Sequence, residues 1–160
     1  MEIVIWSIGF LIVVFCFAVF FGAPYVPTRK LDIEEIFKNI KNSKKSKFVD
    51  LGSGDGKLVL YAAKLGYQST GYEINPILWL ISNFRLRKYP DAKVILSNMW
   101  SADISNADLD FCFLASKYMN KLEKKLNQEM KQGSIFVSYV FELPTKKPYL
   151  KHKSALYFKF

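Results

Sequence analysis

The stretch VDLGSGDGK, Val49 to Lys57, decides how this chain folds. It closes KFVDL (Lys47 to Leu51), a short apolar run with the length and composition of a strand. Glycines at 52, 54 and 56 then allow left-handed backbone and close approach of a ligand, because no Cβ stands in the way. A helical pattern follows from about Lys57 to Leu65. Such a strand–turn–helix junction, with Asp50 at the end of the strand, is where open α/β sheets bind ligands.

The same alternation extends along the chain. Ile33, Ile36, Phe37 and Ile40 lie at helical spacing within Leu31 to Lys41, with Asp32, Glu34 and Glu35 in the first turn, where the helix dipole favours acids. After the glycine loop come a strand over Ser69 to Glu73 and a helix opened by Asn75-Pro76 and running to about Lys88. Lys93 to Leu96, Asp110 to Ala115 and Ser134 to Phe141 read as further strands, and Leu156 to Phe160 as a last one. A helix from Tyr118 to Lys131 places Met119, Leu122, Leu126 and Met130 on one core-facing stripe. Strands separated by helices imply an α/β fold with a parallel sheet and right-handed crossovers. Only 19 residues follow Phe141, so a sheet truncated after its fifth strand is one expectation.

Glu73 stands 23 residues after Asp50, at the end of the second strand, where a carboxylate accepts two ribose hydroxyls. A dinucleotide site needs G-x-G-x-x-G with a pyrophosphate over the helix N-terminus. Here the third glycine comes one residue early, Lys57 holds its place, and Asp55 is a poor neighbour for a pyrophosphate. A cationic nucleoside without phosphate suits a loop flanked by Asp50 and Asp55. S-adenosylmethionine, with its sulfonium, ammonium and ribose, is such a ligand.

Composition narrows the alternatives. With 51% hydrophobic residues the chain can form a core, which excludes general disorder. Cys16 and Cys112 both read as apolar residues, and His152, the one histidine, reads as a solvated residue between two lysines. No metal site is expected, nor a Ser-His or Cys-His nucleophile pair. The net charge is +9, but no aromatic–basic interleaving marks a nucleic-acid surface.

Ile3 to Phe21 (IVIWSIGFLIVVFCFAVFF) is a nineteen-residue run without charge. At about 1.5 Å per residue it spans roughly 28 Å, close to a bilayer core. Glu2 precedes it and no small-x-small cleavage site follows, which favours a retained transmembrane helix over a signal peptide. The expected organisation is an anchor over 1–23, a linker and N-terminal helix over 24–46, and a ligand-binding domain over 47–160. Arg29, Lys30, Lys38, Lys41, Lys44, Lys45 and Lys47 follow the anchor, so the positive-inside rule puts that domain on the cytoplasmic side.

Four stretches together carry a resemblance: PYVPT (Pro24 to Thr28), DLGSGDGKLVL (Asp50 to Leu60), GYEINPILW (Gly71 to Trp79) and YMNKLEKKLNQEM (Tyr118 to Met130). With SNMW (Ser97 to Trp100), they are similar to class I, seven-strand, Rossmann-like methyltransferases. Pro24 to Pro144 resembles the membrane-associated protein-lysine methyltransferases that act on the ADP/ATP translocase and on the c-ring protein of ATP synthase. The resemblance implies S-adenosylmethionine as cofactor and a lysine of a membrane or membrane-proximal protein as acceptor. It also implies that Asp50, Gly52, Ser53 and Gly54 meet the methionine end, Glu73 the ribose and Ile74 the adenine. Asn98, with Met99 and Trp100 beside it, falls where the family has an acid near the adenine amino group. Ser116, Tyr118 and Glu142 are the candidate acceptor-side catalytic residues. The chain departs from the family pattern at Val140, where an Arg is usual, and after Pro144, where no Trp follows. An RNA or small-molecule methyltransferase, or a cofactor-binding domain without turnover, are the other readings.

Overall fold

The computed structural model describes residues 2–10, 30–40 and 46–160. Most of the expected anchor, Cys16, and the linker over 24–29 lie outside the described residues. Residues 2–10 are helical and expose their apolar side chains. Among the described residues no helix is long and apolar enough to cross a membrane.

In chain order the domain comprises α1 (Lys30–Lys38), β1 (Lys47–Leu51), α2 (Lys57–Lys64), β2 (Gln68–Glu73), α3 (Pro76–Leu86) and β3 (Ala92–Leu96). There follow β4 (Leu109–Cys112), α4 (Met119–Glu129), β5 (Ile135–Tyr139), β6 (Leu150–His152) and β7 (Ala155–Lys159). Single 3₁₀ turns stand at Met99–Ser101 and Ser116–Tyr118. The strands form a seven-stranded sheet in the order β3-β2-β1-β4-β5-β7-β6, parallel from β3 to β5 and antiparallel beyond.

The truncated sheet is thus corrected. Nineteen residues suffice because no helix intervenes: β6 and β7 form a hairpin whose two-residue loop, Lys153-Ser154, joins the paired His152 and Ala155. Lys153 takes φ 51, which two-residue hairpin loops of this hand require at their first position. Lys-Ser lacks the Gly or Asn that announces such a turn. β4 ends at Cys112 rather than Ala115 because its ladders to β1 and β5 stop there.

Two apolar layers sandwich the sheet. One face packs Val49, Leu51, Cys112 and Phe136 against Met119, Leu122 and Leu126 of α4. The other packs Phe48, Phe111, Val137 and Tyr157 against Ile33, Ile36 and Phe37 of α1 and Leu58 and Ala62 of α2. Alternation along each strand, with period two, produces this division. α1 is also tied by polar contacts: the Tyr157 hydroxyl donates to the Ile36 carbonyl at 3.1 Å, and the Tyr139 hydroxyl to Asp32 at 2.8 Å. His152 is not simply solvated. Its Nε2 lies 3.0 Å from the Glu35 carboxylate, joining β6 to α1.

The buried ring of Phe37 meets Phe48, Tyr61 and Tyr67 at centroid distances of 5.4–5.7 Å. Phe37→Ala is expected to lower stability by about 3–5 kcal/mol, from lost burial plus a cavity, measured by denaturant unfolding.

Candidate functional site

The chain runs outward from β1 to β2 and β3, then crosses back to set β4 and β5 on the other side of β1. The carboxyl ends of β1 and β4 therefore flank a topological switch point, the position where open α/β sheets take ligands. The loop leaving β1 there is Gly52–Gly56. Its three glycines all have positive φ, 88, 55 and 74°, so a side chain at any of them would be strained.

The loop is clamped on two sides. A Cβ on Gly56 would stand 2.7 Å from the Ser82 Cβ of α3, and one on Gly71 of β2 would stand 2.5 Å from the Ser53 Oγ. The amides of Gly52 and Ser53 both donate to the Tyr72 carbonyl at 3.0 Å. A Cβ on Gly52, by contrast, would meet nothing within 4 Å. The loop is packed behind and open in front, as a cradle for a ligand must be. The Ser53 hydroxyl is buried against Gly71 and has no hydrogen-bond partner among the described residues.

Glu73 is buried at the end of β2. Its Oε2 accepts from the Gly54 amide at 2.8 Å and its Oε1 from the Asn75 amide at 2.7 Å. These bonds fix the carboxylate in one orientation and leave each oxygen a lone pair for another donor. Asn75 in turn caps α3, accepting from the amides of Ile77 and Leu78. Ile74, between Glu73 and Asn75, is half-buried.

Asp55 does not offer its charge to a ligand. Its carboxylate lies 2.7 Å from Arg85 Nη1 and 3.0 Å from Lys57 Nζ, and Arg85 also donates to the Asp55 carbonyl. Burial alone would raise this carboxyl; the two cations outweigh burial and hold it below the usual range. Asp50 behaves in the opposite way. Burial first, then the neighbouring charges of Glu73 and Asp55, push its carboxyl well above the usual range. A cation arriving there relieves that repulsion.

Asn98 caps the Met99–Ser101 turn, its Oδ1 accepting from the Trp100 amide at 3.1 Å. Met99 and Trp100 are half-buried against the core. The Trp100 ring meets Tyr118 edge-on at 6.3 Å, joining the expected adenine side to the expected acceptor side. Ser116 and Tyr118 share one exposed turn directly after β4. Glu142 is exposed and paired with Lys151 of β6 at 2.5 Å, a lysine of this chain rather than Ser116 or Tyr118. Beside it Val140 takes φ 77, a strained conformation for a β-branched residue.

Three residues that organise the site have no clear sequence signal. Arg85 neutralises Asp55. Glu123, buried on α4, accepts from the Thr145 amide at 3.1 Å, the Thr145 hydroxyl at 3.0 Å and the Lys146 amide at 2.8 Å. Lys125, also buried, donates to the carbonyls of Ala102 and Trp100 and pairs with Glu129 at 2.7 Å. An acid and a lysine beside the apolar stripe of α4 are the only hints.

Gly71→Ala drives a methyl group into Ser53 and Val59. It is expected to cost about 1–3 kcal/mol by overpacking, read by denaturant unfolding, and to speed amide exchange through Gly52–Gly56.

The geometry has counterparts among known proteins. A human lysine N-methyltransferase, named for the c-ring protein of ATP synthase, is 33% identical over 130 residues, covering 78% of this chain and 54% of that protein. A protein-lysine N-methyltransferase of Saccharolobus islandicus is 32% identical over 125 residues, covering 75% of this chain and 78% of the relative. The chain spans about half the length of the vertebrate relatives it matches. In fold it is similar to an RNA methyltransferase of Salinibacter ruber solved with S-adenosyl-L-homocysteine, with TM-score 0.75, 23% identity and coverage of 84% and 92% of the two chains. The family model for the ANTKMT methyltransferase domain matches residues 50–150. The switch-point loop, the fixed acid at the end of β2 and the seven-stranded sheet thus lie in a chain that belongs to the ANTKMT methyltransferase domain family.

Proposed function

We propose that this protein is an S-adenosylmethionine-dependent methyltransferase that modifies a lysine of a membrane or membrane-proximal protein. The observation that carries the cofactor half is Glu73, held by the amides of Gly54 and Asn75 at the lip of the glycine loop. A carboxylate fixed there, with free lone pairs, fits the two hydroxyls of a ribose. Asp50, Gly52, Ser53 and Gly54 take the methionine end, Ile74 packs on the adenine, and Asn98, Met99 and Trp100 border it. When bound, S-adenosylmethionine supplies an electrophilic methyl group.

The acceptor half rests on the relatives named as lysine N-methyltransferases and on the Trp100–Tyr118 pair. Each of those rings already carries an ammonium of this chain: Lys121 Nζ lies 4.2 Å from the Trp100 centroid, and Lys117 Nζ 4.8 Å from that of Tyr118. Aromatic faces that hold these ammonium groups suit an incoming lysine. A free lysine has a pKa of about 10.4, so the site must favour its neutral form. Ser116 and Tyr118 present hydroxyls that orient the amine, with Glu142 at the rim attracting it. The apolar run over 1–23 acts as a single transmembrane anchor, 24–46 as its tether, and 47–160 as the cytoplasmic catalytic domain.

The test uses methyl-labelled S-adenosylmethionine with the full-length protein and membranes of its source cell. Label in a discrete protease-sensitive band, released on hydrolysis as methyl-lysine, is expected. Label in lipid or nuclease-sensitive material would overturn the lysine assignment, and no labelled product the enzymatic one. Glu73→Ala is expected to abolish both label and S-adenosylhomocysteine binding while the fold persists by circular dichroism.

Asp50 provides a pH signature. Its raised carboxyl binds a proton more readily in the free protein, and a cationic ligand favours the ionised form. Affinity for S-adenosylhomocysteine, which carries the same ammonium, should therefore rise with pH through the Asp50 titration. Calorimetry in buffers of different ionisation enthalpy is expected to detect proton release on binding, absent in Asp50→Asn.

A further inference from the structure

α3 presents an apolar stripe to the outside. Ile77, Leu80, Ile81 and Phe84, spaced i, i+3, i+4 and i+7, lie on one face and are 45, 59, 43 and 68% exposed. The opposite face is fixed to the domain: Ser82 and Leu86 are buried, and the Trp79 indole donates to the Val94 carbonyl of β3 at 2.9 Å. The stripe therefore cannot rotate inward. Leu96, 47% exposed, lies on the same face of edge strand β3 as the buried Val94 and extends the apolar surface. From Ile74 to Phe84 the sequence carries no charge.

Cations follow directly at the end of this stripe. Arg87 lays its guanidinium 4.1 Å from the Phe84 ring centroid, and Lys88 is exposed beside it. Arg85 is occupied by Asp55, and Asp91 is the exposed acid of the following turn. A convex helix with an aliphatic face and a basic end lacks the concavity that would receive a peptide. It has what a bilayer interface demands: apolar side chains to enter the acyl boundary, and bases to reach anionic headgroups. The chain's excess of positive charge acts in the same sense.

We propose that the exposed face of α3 is a second membrane contact, lying in the interface of an anionic bilayer. α3 begins at Asn75, whose amide holds Glu73, so immersion of Ile77 and Leu80 would bring the lip of the switch-point crevice to the lipid surface. An acceptor lysine at headgroup depth would then reach the site without leaving its membrane. The lipid contact itself stands independently of the reaction assigned above.

The test places a spin label on the full-length chain at Phe84→Cys, in a Cys16→Ser background. Cys112 stays, being buried in β4. The same label at Gln128→Cys, exposed on α4 across the sheet, is the control. In vesicles containing phosphatidylglycerol, collision of the residue-84 label with oxygen should rise several-fold relative to a water-soluble nickel chelate, with no such change at residue 128. Arg87→Glu with Lys88→Glu should reverse the change while the N-terminal run keeps the protein vesicle-bound. A residue-84 label that stays water-accessible on bound protein overturns the proposal. So does one already shielded without vesicles, which would assign the face to the chain's own apolar N-terminus or to a second copy. Equal immersion in neutral and anionic vesicles would overturn the headgroup role of the cations.

Discussion

The two hydrogen bonds to Glu73 are the constraint on which the site depends. A buried carboxylate is costly unless its oxygens are satisfied. Here the donors are backbone amides from two different segments, Gly54 in the loop after β1 and Asn75 at the cap of α3. One side chain thus ties the glycine loop, the end of β2 and the start of α3 into a single unit. The glycines follow from that arrangement: the loop must turn back far enough for the Gly54 amide to reach Glu73. Gly71 must lack a side chain so that Ser53 can lie against β2.

α4 does the corresponding work on the far side of the sheet. Its apolar stripe enters the core, while two charged residues beside that stripe reach in opposite directions. Lys125 holds the carbonyls around the Met99–Ser101 turn, which carries Trp100, and Glu123 gathers the amides of Thr145 and Lys146 after β5. Both charges are buried and have compensating partners, which is the condition for their persistence. A helix that reads from its periodicity as packing alone therefore sets the spacing between the cofactor wall and the acceptor loop.

Legibility from sequence divides along local and non-local lines. The glycine loop, the strand before it, Glu73, the Asn75-Pro76 cap and the stripe of α4 are readable because each depends on neighbours within a few residues. The β6–β7 hairpin is not, since Lys153-Ser154 gives no turn signal and its strand β6 has three residues. Asp55 reads as available to a cationic ligand because its partner Arg85 lies thirty positions away. Glu142 reads as an acceptor-side acid, yet it pairs with Lys151 across the turn from β5 to β6. Pairings made only by the closed sheet leave no local pattern.

Those same long-range contacts connect the two ends of the proposed machinery. Tyr139, the last residue of β5, donates to Asp32 in the first turn of α1, and the strained Val140 follows at once. Glu35 on the next turn of α1 meets His152 of β6, the strand that also bears the Glu142 partner Lys151. α1 is the element through which the N-terminal apolar run joins the domain. Its docking therefore fixes more than an end of the chain. The loop after β5, which borders the acceptor side, is referred through Tyr139 and His152 to the same helix that leads to the anchor. An acceptor site whose substrate sits at a defined depth in a bilayer needs such a reference. A flexible tether would keep the domain near the membrane, but only a docked helix gives the crevice a fixed orientation to it.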